Sequence, residues 1–173
     1  MIGFAVVGLG MGRTRARQIQ RETAGATVRI VVDLKEELAR EVGQELGCDW
    51  SPRLEDALGR DDVDVVMVMT PSGRHAEVGI QAARAGKHVL TTKPMDVTTN
   101  ACDRLIAAAE QAGVILGVDY QSRYVDGNVR VAEALRQGWL GSPILGEVRF
   151  KWFRSQEYYD RGGKLPPGLM DQV

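Results

Sequence analysis

Phe4-Ala5-Val6-Val7-Gly8-Leu9-Gly10-Met11-Gly12 runs an apolar stretch straight into a glycine-rich turn, and its reading decides the fold. A second apolar stretch, residues 28–32, closes on Asp33. Between them lies a helix-compatible segment that Gly25 breaks. Strand, glycine turn, amphipathic helix, strand and acid, in that order, open a dinucleotide-binding fold. Glycines lacking side chains let the backbone press against a pyrophosphate, whose charge the amino end of the next helix favours. An acid about 20 residues further on accepts hydrogen bonds from the adenosine ribose. Gly8, Gly10, Met11, Gly12 and Asp33 are the expected cofactor contacts. The usual spacing is G-x-G-x-x-G, but here the third glycine comes one residue early and Arg13 takes its place.

The rest of the chain repeats the alternation. Leu34, Leu38, Val42 and Leu46 recur every four residues and predict a helix with one apolar stripe, ended by Gly47. Trp50 and Ser51-Pro52 lead into a short helix near residues 54–58. Val65-Val66-Met67-Val68-Met69 is continuously apolar, as expected of a parallel strand buried on both faces. Thr70-Pro71 stops it, and a helix follows over about 75–85. Val89-Leu90 is a short strand ending at Lys93-Pro94. Thr98 or Thr99 caps a helix reaching Ala112, and residues 114–118 form a further strand. The expectation is an α/β Rossmann fold, a doubly wound parallel sheet, over residues 1–119.

From Tyr120 the pattern changes. A helix ending near Gly138 is followed by an alternating stretch, residues 145–154, with Val148, Phe150 and Trp152 on one side. That predicts a half-buried strand of an open, antiparallel sheet. No second strand follows, so residues 120–173 read as the incomplete beginning of an α+β substrate and oligomerisation domain, cut off after one strand. A strand without a partner predicts pairing with a second copy of the chain, or aggregation.

Composition narrows the function classes. The chain has 173 residues, 44% of them hydrophobic, with a formal charge of −1. Near-neutral charge gives no reason to expect nucleic acid as a partner, and no apolar run approaches the roughly 18 residues of a membrane span. Cys48 and Cys102 are far apart, without metal-ligand spacing, and read as free thiols. The first strand begins almost at Met1, leaving no room for a signal peptide, so a cytoplasmic protein without a metal is expected.

Four stretches together resemble the glucose–fructose oxidoreductase, inositol dehydrogenase and rhizopine-catabolism (Gfo/Idh/MocA) family. They are the glycine turn at 8–12, Thr70-Pro71-Ser72-Gly73-Arg74-His75, Gly86-Lys87-His88-Val89-Leu90-Thr91-Thr92-Lys93-Pro94, and Gly117-Val118-Asp119-Tyr120-Gln121-Ser122-Arg123-Tyr124. The resemblance implies an NAD(P)-dependent oxidoreductase moving hydride between nicotinamide and a sugar, cyclitol or related polyol. It implies a catalytic role for Lys93, whose ammonium would stabilise the oxygen that gains charge as hydride moves. Thr92 stands where the family has a glutamate, and Arg15 where many members have a histidine. Thr70, Pro71 and His75 match the family's turn beneath the cofactor. Asp171 matches the acidic position of a short motif whose histidine takes the substrate proton, although Val173 replaces its glycine. Asp33 favours NAD over NADP, because a carboxylate repels a 2′-phosphate. The competing reading is a dinucleotide-binding module without turnover.

Overall fold

The computed structural model describes residues 1–151, 153 and 155–157. Six parallel strands build one sheet: β1 (Ile2–Val7), β2 (Ala26–Val32), β3 (Asp49–Ser51), β4 (Val65–Val68), β5 (His88–Thr92) and β6 (Leu116–Asp119). Their order is β3-β2-β1-β4-β5-β6. The winding direction reverses between β1 and β4, so the connections leaving their carboxyl ends turn to opposite faces of the sheet and leave a crevice between them. The helices are α1 (Gly12–Glu22), α2 (Glu36–Leu46), α3 (Glu55–Leu58), α4 (His75–Arg84), α5 (Thr99–Ala112) and α6 (Asp126–Arg136).

Alternation along β1 shows why both faces of the sheet must be covered. Val6 points to a core shared with Ala16 and Ile19 of α1, Val42 and Leu46 of α2, and Met67. Ala5 and Val7 point to the opposite core, with Val66, Val89, Ala57 of α3 and Val78 and Ala82 of α4. Each fully buried valine or leucine contributes about 1.5–3 kcal/mol of transfer free energy. The helix ends follow their sequence signals. Thr98 Oγ1 accepts from the Ala101 amide at 3.2 Å to start α5, and Gly113, at φ 66°, ends it in the left-handed conformation.

Three expectations are corrected here. Leu34 lies before α2 rather than in its stripe and is 87% exposed; Ala39, Val42 and Leu46 make the buried face instead. Asp49–Ser51, read only as a lead-in to α3, pairs with Ile30–Val32 as the edge strand β3. The strand expected at 145–154 does not form: residues 145–151 and Phe153 carry no regular structure and join no sheet among the described residues, while Trp152 and Arg154 lie outside them. The alternating pattern is present, but a strand exists only as one side of a ladder.

The chain separates into two compact units, Met1–Asp119 and a second that begins at Tyr120. In the second unit, a 3₁₀ turn at Gln121–Tyr124 precedes α6, none of whose residues is buried. Asn128 Nδ2 donates to the Ser122 carbonyl at 2.7 Å and ties the two together. Among the described residues, no helix is long and apolar enough to cross a membrane.

Candidate functional site

The three glycines after β1 do three different jobs. Gly8 has φ 91°, and a Cβ there would lie 2.7–2.8 Å from the backbone of Met69 and Thr70. Only glycine lets the ends of β1 and β4 meet so closely. At Gly10 a Cβ would meet nothing within 4 Å, so this turn faces open space where a ligand backbone can approach. At Gly12 a Cβ would stand 3.1 Å from Met69 Cβ and 3.3 Å from Val6 Cγ1, so this glycine lets α1 pack against the sheet. Tight turn, pyrophosphate approach and helix–sheet packing are the three tasks of the longer fingerprint. The shortened spacing keeps the tight turn and the helix–sheet packing, and leaves Gly10 open.

α1 starts without a side-chain cap and with no acid in its first turn, leaving its amide dipoles for an anion. Arg13, in place of the usual glycine, is turned away: it donates to Glu41 and Glu45 on α2. Met11, at the tip of the turn, is 75% exposed. Asp33 follows β2 immediately. Its Oδ2 accepts from the Leu9 amide at 2.7 Å, and its Oδ1 from the Lys35 amide at 2.9 Å. The carboxylate therefore braces the glycine turn and keeps further lone pairs able to accept from a ligand.

On the other side of the turn lie Thr70 and Pro71 after β4, and Thr92, Lys93 and Pro94 after β5. The Lys93–Pro94 peptide is cis, and Lys93 is exposed, without an ion pair among the described residues. Thr92 is half-buried. The Thr70 hydroxyl is buried with no hydrogen-bond partner, an orphan that a ligand or water in the crevice would satisfy.

The family resemblance places His75 at the cofactor, but the residue is only 1% exposed. Nδ1 lies 2.8 Å from the Pro94 carbonyl and Nε2 2.7 Å from the Thr70 carbonyl. It clasps the two loops that carry Thr70-Pro71 and Lys93 rather than presenting a nitrogen to the crevice. A neutral imidazole has one N–H and satisfies one carbonyl; the doubly protonated ring satisfies both. The other histidine, His88, starts β5 at the opposite end of the sheet and accepts from the Ile115 amide at 3.1 Å.

Asp96, which the sequence reading passed over, completes the clasp. Its Oδ2 accepts from the Ala76 amide at 2.8 Å and its Oδ1 from the Val97 amide at 2.7 Å. It caps α4 from the far side of the Lys93 loop, replacing the missing cap at Arg74. An acid two residues past Lys93-Pro94 was visible, but nothing local marked it as a cap for a helix 20 residues upstream. Asp171 lies outside the described residues.

Two other concavities lie away from the strand ends. One of about 450 Å³ is bordered by Cys48, Trp50 and Arg60. One of about 640 Å³ runs between α4 and α5 beside Glu77, Arg84 and Arg104. Size favours the second, but the polar groups that converge with glycine backbone do so at the open crevice. The crevice is the candidate site.

The fold and crevice define a dinucleotide-binding α/β domain. The model of the Gfo/Idh/MocA oxidoreductase family, described as an NAD-binding Rossmann fold, matches residues 2–120, and the chain belongs to that family. It is 32% identical over 149 residues to the 2,7-anhydro-N-acetylneuraminate hydratase of Mediterraneibacter gnavus, covering 86% of this chain and 38% of that one. It is 31% identical to inositol 2-dehydrogenase 3 of Saccharopolyspora erythraea, covering 83% and 43%. The WlbA dehydrogenase of Bordetella pertussis, solved with NADH and UDP-GlcNAcA, superposes with a TM-score of 0.81 at 30% identity, covering 92% of this chain and 49% of that one. The chain thus spans two-fifths to one-half of the length of these relatives.

Proposed function

We propose that this chain is the cofactor-binding part of an NAD-dependent oxidoreductase acting on a hydroxyl or carbonyl carbon of a sugar, cyclitol or related polyol. The observation that carries it is the division of labour among Gly8, Gly10 and Gly12 beside Asp33. The relatives' names support the substrate class. The nicotinamide, when bound, supplies the hydride acceptor or donor. Gly10 and the amino end of α1 hold the pyrophosphate, and Asp33 holds the adenosine ribose. Lys93 offers its ammonium to the reacting oxygen and stabilises the negative charge that develops there. His75 and Asp96 keep the Lys93 loop in place. The second unit begins the substrate domain, where Asp171 occupies the acidic position of the proton-transfer motif.

Asp33 selects NAD: it is followed by exposed Leu34, which offers no charge to a 2′-phosphate. Calorimetric titration with NAD and NADP tests the reading. NAD is expected to bind at least about tenfold more tightly, the equivalent of about 1.4 kcal/mol, and Asp33→Asn to narrow that gap while weakening NAD. Tighter binding of NADP, or binding of neither, would overturn it.

A further inference from the structure

His75 is a buried ring held between two acceptors. Nδ1 lies 2.8 Å from the Pro94 carbonyl oxygen and Nε2 2.7 Å from that of Thr70, and the residue is 1% exposed. A carbonyl oxygen accepts and cannot donate, so each of these short contacts needs a proton on the ring nitrogen. A neutral imidazole carries one such proton, whichever tautomer it adopts. Its other nitrogen would then aim a lone pair at the second oxygen. Only the imidazolium donates in both directions.

A buried cation also needs a counter-charge. The amino end of α4 has the wrong sign, because the helix dipole is positive there. Asp96 has the right one. Its Oδ2 accepts from the amide of Ala76, the residue after His75, and the residue is half-buried. The other charged groups on adjoining residues are Arg74 and Glu77, paired with each other at 3.0 Å at the exposed start of α4, and Lys93, exposed beside Pro94. Ala101 and Leu105 of α5 pack with Ala76, and Met95 and Leu116 join them; none of these carries charge. We infer that His75 is a positioning residue that holds two protons while the clasp is closed, and that losing one of them opens the clasp. The doubly protonated ring ties the loop after β4, with Thr70-Pro71, to the loop after β5, with Lys93. With one proton gone, one carbonyl has no donor and Lys93 is no longer fixed relative to Thr70. The sign follows from this: the clasp is complete on the acid side and is lost as the pH rises through the ring's own transition. The inference rests on the oxidoreductase reading for its meaning, since it makes the placement of Lys93 depend on a proton held outside the crevice.

The test follows the ring nitrogen resonances of His75 in the full chain from about pH 5 upward, the range in which histidine ordinarily changes charge. Below the transition the two nitrogens are expected to show the matched shifts of an imidazolium, and above it the split shifts of a neutral tautomer. The backbone amides of Lys93 and Met95 are expected to move with the same midpoint. A ring already neutral at the start, or amides that ignore its transition, would overturn the inference. His75→Gln keeps a side-chain donor but cannot change charge, and should remove the step in those amides; a step that persists belongs to another group and overturns the inference as well. Titration with NAD on either side of the transition separates this inference from the reading it rests on. Affinity is expected to fall roughly tenfold as the ring loses its proton, the effect of one hydrogen bond to a charged group. Equal affinities overturn the link to Lys93. A chain that binds no NAD on either side overturns the cofactor reading, while the ring and amide resonances still decide the clasp.

Discussion

Two glycines two residues apart are under different constraints. Gly8 carries a positive φ and has backbone atoms 2.7 Å from where a Cβ would stand, whereas a Cβ at Gly10 would stand in open space. Gly8→Ala is therefore expected to destabilise the fold by about 1–3 kcal/mol or more. Gly10→Ala should melt within about 0.5 kcal/mol of the parent chain, yet lose NAD, because its methyl occupies the pyrophosphate's approach. Denaturation and titration of the two variants separate the roles; loss of stability in Gly10→Ala would contradict this division. His75 poses the opposite case, a polar group whose work is internal. His75→Ala removes the ring that bridges the Thr70 and Pro94 carbonyls and is expected to cost about 2–4 kcal/mol in urea unfolding. The same change should weaken NAD binding through the loosened Lys93 loop. A variant as stable as the parent would show that the clasp is not made in solution.

At the level of elements, α1 and α2 are joined by charge as well as by apolar contact. Glu45 accepts from Arg17 and Arg13, and these hydrogen bonds hold its carboxyl at about 2, below the ordinary 4.5. A carboxylate with a lowered value stabilises the folded state once it is ionised. Its contribution is complete above about pH 4.5 and disappears as the pH falls toward 2. Melting followed from pH 6 downward should show an acid-dependent loss that Glu45→Gln reduces. High salt should shrink the difference, since the cluster is open to solvent. An unchanged acid profile in Glu45→Gln would place the acid sensitivity elsewhere. The segment at 145–151 makes the converse point about elements: its alternation of apolar and charged residues provides a face, but no element without a ladder.

For the whole molecule, cofactor binding should appear as stability. A ligand at 100 times its dissociation constant stabilises the folded state by about 2.7 kcal/mol, which for a chain of this size raises the melting temperature by roughly 5–10 °C. Calorimetry with NAD is expected to show that rise in the transition of the unit Met1–Asp119. A rise with NADP but not with NAD would reverse the preference assigned to Asp33. The sheet explains why the effect should be global: in the proposed site the contacts to one ligand would come from the ends of β1, β2, β4 and β5, and occupancy would tie four strands together.

The sequence by itself determined the doubly wound sheet. Buried parallel strands must read as continuous apolar runs and crossover helices as stripes, and both signals are local. It also placed the glycine turn, Asp33, Thr70-Pro71 and Lys93, because each closes a strand at the carboxyl end where such sheets open. Strand β3 escaped, being three residues long with only Trp50 to mark it. What the tertiary structure alone decided are relations between residues distant along the chain. His75 turned inward to Thr70 and Pro94, Asp96 capped α4, and Arg15 met Asp119 across 104 positions. A polar residue in sequence announces that it needs a partner, but only the packed sheet and helices decide which atoms are near enough to satisfy it.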